Sequence, residues 1–194
     1  MRPLLLLVVV LLLGGCAASR PAAEFSYVLN AERPAKAAMM LAGATVYLAP
    51  VTADEPYGQR GFVYRETAQR FAVDPYRGYL VPPTRQIDSR LNAWLGAAGA
   101  TLAADRHKAR YTLDARVSAL YVDLRPGQPG EAVVTLRLTL GDTGAATRQF
   151  SIDGRAPVAP MNGDGIAAAT NAALADVLSQ LEATLASESR AALR

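Results

Sequence analysis

Cysteine, histidine and tryptophan are nearly missing from this sequence of 194 residues, which has one of each. A zinc site takes several cysteine or histidine ligands, so the sequence cannot supply one of the usual kind. The only histidine, His107, lies between Arg106 and Lys108, and neighbouring cations oppose the imidazolium that a general base forms. We therefore predict no catalytic residue, no metal and no cofactor. A small periplasmic hydrolase is the less favoured alternative.

Motifs for binding phosphate, calcium and nucleic acid are missing as well. The sequence has no Gly-x-x-x-x-Gly-Lys-Ser/Thr loop and no Asp-x-Asp-x-Asp-Gly loop. Its formal net charge is only +3, from 20 basic and 17 acidic residues. Because charges of both signs are scattered along the chain, we predict no nucleic-acid partner. No apolar run reaches the length of about 20 residues that a transmembrane helix needs.

The longest apolar run, residues 4–13, follows a short charged start and ends at Leu13-Gly14-Gly15-Cys16. This pattern is typical of a secretory signal peptide. Its last four residues resemble a bacterial lipobox, the signal for lipid attachment at the cysteine and cleavage just before it. We expect a signal peptide over residues 1–15, acylated Cys16 with a tether over residues 16–23, and one domain over residues 24–194. The alternative is an ordinary secretory signal with a chance cysteine.

Period-two alternation predicts strands, most clearly over residues 111–123. One face of that strand is expected to carry Tyr111, Leu113, Ala115, Val117, Ala119 and Tyr121. Two return strands, residues 132–140 and 148–153, would complete an antiparallel meander with a hairpin turn at residues 141–144. Shorter strands are predicted earlier, at residues 25–30, 45–49, 62–64 and 69–74. Residues 74–78 have turn chemistry.

Two helices are predicted from apolar residues at helical spacing. The first follows Pro82-Pro83, with Thr84 as N-cap and Gly96 and Gly99 at its end. Its apolar stripe is Ile87, Leu91, Trp94 or Leu95, and Ala98. The second covers about residues 165–186, with Asp164 as cap and an apolar stripe of Ile166, Thr170, Leu174, Val177, Leu178, Leu181 and Leu185. The predicted fold is α+β, an antiparallel sheet with two main helices packed on one face, as a single domain after a lipoprotein signal peptide.

Residues 57–185, together with the lipobox, resemble the ABC-type transport auxiliary lipoproteins, which accompany MCE-domain lipid transport systems. The shared features come in order along the chain. They are Tyr27-Val28-Leu29, the hairpin residues Phe62-Val63-Tyr64, a proline before the first helix, Tyr111 and Leu113 at the start of the long strand, and a last helix with Thr170, Asn171, Ala172 and Leu174. Where the family usually has Trp-Ala before the helix, this sequence has Tyr79-Leu80.

The resemblance implies a function in envelope lipid transport. An auxiliary lipoprotein of this kind is a non-enzymatic subunit at the periplasmic face of the outer membrane that docks to an MCE-domain protein. Ala17 after the cysteine fits outer-membrane sorting, because aspartate is not present there. A homo-oligomer would suit a ring-forming MCE partner. Another envelope lipoprotein, such as an outer-membrane assembly factor, is the alternative function.

Aromatic residues concentrate between residues 57 and 80 in turn-rich sequence. Tyrosines exposed on loops make good protein-contact anchors. We nominate Tyr64, Tyr76 and Tyr79 as partner-binding residues. The alternative is that these rings cover the edge of the sheet as part of the core.

Overall fold

A computed structural model describes residues 24–143 and 146–191 of the protein. The predicted signal peptide, Cys16 and the tether lie outside the described residues, as does part of the predicted hairpin turn at residues 141–144. Neither helix in the described part of the chain combines the length and the hydropathy that a membrane-spanning helix needs.

The described elements follow one another as a strand-rich half, a helix, a long meander and a final helix. They are β1 (Phe25–Tyr27), β2 (Thr45–Leu48), β3 (Thr52–Ala53), β4 (Gly61–Arg65), β5 (Phe71–Tyr79), α1 (Pro83–Ala97), β6 (Thr101–Leu102), a 3-10 turn (Arg106–Lys108), β7 (Tyr111–Asp123), β8 (Glu131–Asp142), β9 (Arg148–Pro157) and α2 (Gly163–Ala191). The α+β class and its two helices are confirmed.

Strand β7 is the centre of the sheet. On one side it pairs with β8, which pairs with β9, and both pairings are antiparallel as predicted. On its other side β7 pairs in parallel with β2, β3 and β4 at successive points along its length. The sheet continues from β2 to β6 and from β4 through β5 to β1. The prediction of a purely antiparallel sheet is therefore wrong. Parallel neighbours need a crossover connection, and α1 supplies it between β4 and β7.

A bulge in β7 changes which side chains face the core. The pairing register with β8 shifts between Val117 and Ala119, so one extra residue is inserted there. After the bulge Leu120 and Val122 are buried under the helices. Tyr121 pairs with Val133 on the other face of the sheet. We call the face under the helices the inner face and the opposite one the outer face. The prediction that Ala119 and Tyr121 point inward is wrong.

Both helices cover the inner face. Every residue of the two predicted apolar stripes is buried, including both Trp94 and Leu95. Helix α1 begins at Pro83 after Pro82 without a side-chain cap, so the prediction of Thr84 as N-cap is wrong. Its end is marked by Gly99, whose φ of 94° suits glycine.

Helix α2 is longer than predicted and has a different cap. It begins at Gly163, and the side-chain oxygen of Asn162 accepts the backbone N–H of Gly165 at 2.9 Å. This is N-cap geometry, so the prediction of Asp164 as cap is wrong. The helix lies directly on β9 at Gly154, where an added Cβ would come within 2.1 Å of the Ala173 carbonyl oxygen.

A buried ion pair joins the loop after β1 to both helices. The guanidinium of Arg33 donates from Nε and a terminal nitrogen to the two carboxylate oxygens of Glu182 on α2, at 2.8 and 2.7 Å. The indole N–H of Trp94 on α1 donates to the same carboxylate at 2.9 Å. Arg33 also donates to the carbonyl of Ala37 at 3.2 Å. The arrangement fixes a loop that has no regular secondary structure of its own.

Candidate functional site

The three nominated tyrosines surround a bulge in the β4–β5 hairpin. Gly61 pairs with Gly78 and Val63 pairs with Val73, so residues 74–77 bulge out opposite one residue of β4. The predicted turn at residues 74–78 is therefore a bulged part of strand β5, and the strand continues to Tyr79. Gly78 is required at the base of the bulge, because a Cβ there would lie 2.1 Å from the carbonyl oxygen of Arg60.

Asp74 holds the bulge together, although it carried no role in the sequence prediction. One carboxylate oxygen accepts the backbone N–H groups of Tyr76 and Arg77 at 2.9 and 3.0 Å. The other accepts the hydroxyl of Tyr64 at 2.7 Å and the Arg77 Nε–H at 2.8 Å. Burial opposes ionisation of this carboxyl, but the four donors outweigh it and hold its pKa below the usual value. The bulge is thus built around a buried carboxylate with a full set of donors.

The structure brings the three tyrosines together, but only Tyr76 has more than half of its surface exposed. Tyr64 is half-buried, and burial together with its bond to Asp74 raises the pKa of its hydroxyl. Tyr79 is 5% exposed and packs edge-on against Phe62, with ring centroids 5.1 Å apart. Burial raises the pKa of Tyr79. Tyr76 is 52% exposed at the tip of the bulge. The exposure expected of Tyr79 is wrong, since its ring is part of the core.

A shallow cavity of about 200 Å³ lies beside the bulge. Its lining includes Phe25 and Arg60 in addition to Tyr76 and Arg77. Phe25 pairs with Arg77 between β1 and β5, and more than half of its side chain is exposed. We call Phe25, Arg60, Tyr76 and Arg77 the bulge surface. Sequence reasoning missed Phe25 because alternation assigns it to the same face as Tyr27, which is partly buried against the core.

The backbone under the bulge surface is firmly held. The Nε–H of Arg60 donates to the carbonyl of Tyr79 at 2.9 Å, and the N–H of Tyr79 donates to the carbonyl of Arg60 at 2.6 Å. Tyr27 stacks on Phe62 with centroids 5.3 Å apart. Two exposed aromatic rings, those of Phe25 and Tyr76, and two guanidinium groups are therefore presented on a backbone held by hydrogen bonds, which suits protein recognition.

His107 lies far from these residues in a short exposed 3-10 turn, where its backbone N–H donates to the Asp105 side chain at 2.9 Å. Arg106 pairs with Asp114 at 3.2 Å. Within residues 24–143 and 146–191, no group of three or more His, Cys, Asp and Glu side chains is placed to hold a metal ion.

Solved structures with the same fold include proteins from two bacteria. The chain is similar to a protein from Xanthomonas campestris at 17% identity and a TM-score of 0.69, covering 86% of this chain and 98% of that one. It is also similar to a hypothetical protein from Chlamydia trachomatis at 10% identity and a TM-score of 0.50, covering 73% and 96% of the two chains. At these identities the similarity shows the fold alone. None of the curated proteins compared with the chain matches it significantly.

These structures show the fold, and a family model shows the family. The model for the ABC-type transport auxiliary lipoprotein component matches residues 27–182. These residues include the end of β1, all of the other described strands, and α2 except for its last residues. The match includes Arg60, Tyr76 and Arg77 of the bulge surface, all of α1 and most of α2. The chain therefore belongs to the ABC-type transport auxiliary lipoprotein component family.

Proposed function

We propose that this protein is a non-enzymatic docking and anchoring subunit of an MCE-type lipid transport system, held by acylated Cys16 at the periplasmic face of the outer membrane. The observation that carries the proposal is the family match over residues 27–182, which begins shortly after a lipobox ending at Cys16. Ala17 after the cysteine supports the outer membrane as the location.

The bulge surface is the part of this protein that we assign to the MCE-domain partner. Tyr76 supplies an exposed ring, and Arg77 lies beside it with its guanidinium held by Asp74. Tyrosine and arginine are enriched among residues that dominate binding energy. Tyr64 and Tyr79 support the surface from beneath. A homo-oligomer of the protein would present several copies of this surface to a ring-shaped partner.

Co-purification of the acylated protein with an MCE-domain protein of the same bacterium tests the proposal. Tyr76→Ala should weaken binding by at least about 2 kcal/mol, or roughly 30-fold, if the ring is a central contact. The matched control is Phe71→Ala, because Phe71 is an exposed aromatic residue of the same strand on the outer face.

Three outcomes separate the parts of the proposal. Full binding by Tyr76→Ala would move the docking site elsewhere, whereas equal losses from both variants would indicate a general defect of the hairpin. Failure of the wild-type protein to bind any MCE-domain protein would refute the function itself. Mass spectrometry of the mature protein should show an acylated Cys16, and Cys16→Ser should release the protein from the membrane fraction.

A further inference from the structure

A second apolar surface lies just after β1, between β1 and the start of α1. Its exposed side chains are Val28, Leu80 and Val81, which are 52%, 53% and 41% accessible. They line a cavity of about 240 Å³ whose rim includes Arg85 and Arg90. We call these five residues the β1–α1 groove. The groove shares no lining residue with the cavity at the bulge surface.

The backbone of the groove is fixed by hydrogen bonds, so the apolar side chains are held at the surface. The N–H of Leu29 donates to the Gln86 side-chain oxygen at 2.6 Å, and the Gln86 amide donates to the carbonyl of Val81 at 2.8 Å. The N–H of Leu80 donates to the carbonyl of Tyr27 at 2.8 Å. These bonds fix the backbone that carries Leu80 and Val81, whose side chains lie at the surface.

The charge of the groove is of one sign. Among the described residues, none of those that line the groove is acidic. Within the described part of the chain neither Arg85 nor Arg90 forms a salt bridge. Arg90 donates to the side-chain oxygen of Asn30 at 2.8 Å, and the Asn30 amide donates to the Glu32 carboxylate at 3.0 Å. An apolar floor flanked by guanidinium groups that have no carboxylate in a salt bridge matches the interface of an anionic bilayer, where apolar side chains enter between headgroups and arginines meet phosphates.

The position of the groove along the chain points to the same occupant. Nine Cα–Cα steps separate Cys16 from Phe25, so the start of β1 lies within about 30 Å of the anchored cysteine even if the tether is fully extended. Val28 follows three residues later. The tether therefore keeps this end of the domain, which includes Val28 of the groove as well as Phe25, close to the membrane.

We propose that the β1–α1 groove is a membrane-contact surface that rests on anionic phospholipid. Val28, Leu80 and Val81 enter the headgroup region, and Arg85 and Arg90 contact lipid phosphates. The inference rests on the proposed lipid anchor at Cys16. The proposed anchor alone would leave the domain free to rotate on its tether. Contact at the groove would also fix the orientation of the domain on the bilayer.

A spin label at Leu80→Cys tests the proposal. Cys16 is the only cysteine in the sequence, so in the acylated protein the introduced thiol is the only one free to be labelled. The full-length acylated protein is placed on vesicles of phosphatidylethanolamine and phosphatidylglycerol, and collision of the label with oxygen and with a water-soluble nickel complex is measured. The control is Leu102→Cys, an exposed leucine in β6 at the opposite end of the strand order.

On vesicles the label at Leu80→Cys should gain collisions with oxygen and lose collisions with nickel, while the Leu102→Cys label stays accessible to nickel. Adding Arg85→Gln should reduce this shift on anionic vesicles and leave circular dichroism unchanged. A vesicle-bound protein whose Leu80→Cys label stays accessible to nickel would refute the groove but leave the anchor intact.

Two other outcomes also overturn the proposal. A label that loses access to both oxygen and nickel would show that a protein, either a partner or a second copy of this chain, covers the groove. An acylated protein that does not attach to vesicles would refute the anchor, and with it both the groove and the proposed function.

Discussion

Substitution of Glu182 by glutamine gives the sharpest test of how this fold is stabilised. The Arg33 and Glu182 side chains are only 8% and 5% exposed, so the ion pair between them lies almost entirely out of water. Glu182→Gln keeps an acceptor for the Trp94 indole N–H but leaves the Arg33 charge buried without its counterion. Loss of one partner of a buried pair costs about 3–5 kcal/mol.

The expected effect is large compared with the whole stability of a domain, which is about 5–15 kcal/mol. For a domain of this size a loss of 3 kcal/mol lowers the Tm by roughly 6–12 °C. Urea unfolding followed by circular dichroism measures the free energy. Fluorescence reports the same site independently, because Trp94 is the only tryptophan in the sequence.

The pair also predicts how stability depends on pH. The hydrogen bond from Arg33 lowers the pKa of Glu182 in the folded protein, below the unfolded value of about 4.3. A lowered folded pKa adds stability that is present above the unfolded pKa and is lost as the pH falls through the folded pKa. The wild-type protein should lose this part of its stability in acid, and Glu182→Gln should not.

The control is Glu131→Gln, which breaks the exposed pair between Glu131 and Arg155 and should cost less than about 1 kcal/mol. A double variant, Arg33→Met with Glu182→Gln, should recover part of the loss, because no uncompensated charge then stays buried. The reasoning is refuted if Glu182→Gln costs no more free energy of unfolding than Glu131→Gln does. It is also refuted if the double variant loses the sum of what Arg33→Met and Glu182→Gln lose singly.

Four further substitutions test three other features by urea unfolding. Leu120→Ser should lower the free energy of unfolding by about 2–5 kcal/mol and Ala119→Ser by less than about 1 kcal/mol, because the bulge in β7 turns only Leu120 into the core. Equal losses would contradict the observed register. Gly154→Ala should cost about 1–3 kcal/mol by pushing α2 away from β9, and an unchanged midpoint would refute that contact. Tyr64→Phe should cost about 1–2 kcal/mol by removing one donor to Asp74; no change would mean that this hydrogen bond does not support the bulge.

The support of the bulge surface connects these stability predictions to function. The exposed ring of Tyr76 is held by a backbone N–H bond to the Asp74 carboxylate, and the same carboxylate holds the neighbouring guanidinium. Asp74→Asn would therefore loosen the bulge surface without removing an exposed side chain from it. We expect it to weaken partner binding less than Tyr76→Ala does.

Local patterns in the sequence determined much of this protein's secondary structure and the buried faces of its helices. Both helices, their buried stripes and the β7–β8–β9 meander follow from apolar periodicity, because a side chain's face depends only on its spacing from its neighbours. The family resemblance also came from the order of short motifs along the chain, and the family match over residues 27–182 confirms it. Acylation of Cys16 stays a prediction, since that residue lies outside the described residues.

Only the tertiary structure decided the features that depend on residues far apart in sequence. The parallel pairing of β7 with β2, β3 and β4 depends on where a crossover places strands. The ion pair of Arg33 with Glu182 joins residues 149 positions apart. One inserted residue in β7 reversed the faces predicted for Ala119 and Tyr121. An extra residue shifts every later side chain of the strand to the opposite face, and simple alternation does not account for it.

The nominated tyrosines show the same division. Their clustering between residues 57 and 80 is visible in the sequence, and the structure does gather them at one bulge. Which ring meets solvent was decided by packing: Tyr79 lies against Phe62 in the core, whereas the bulge lifts Tyr76 out of the sheet. Sequence specifies the residue types available to a surface, but exposure depends on which distant side chains fill the space above each one.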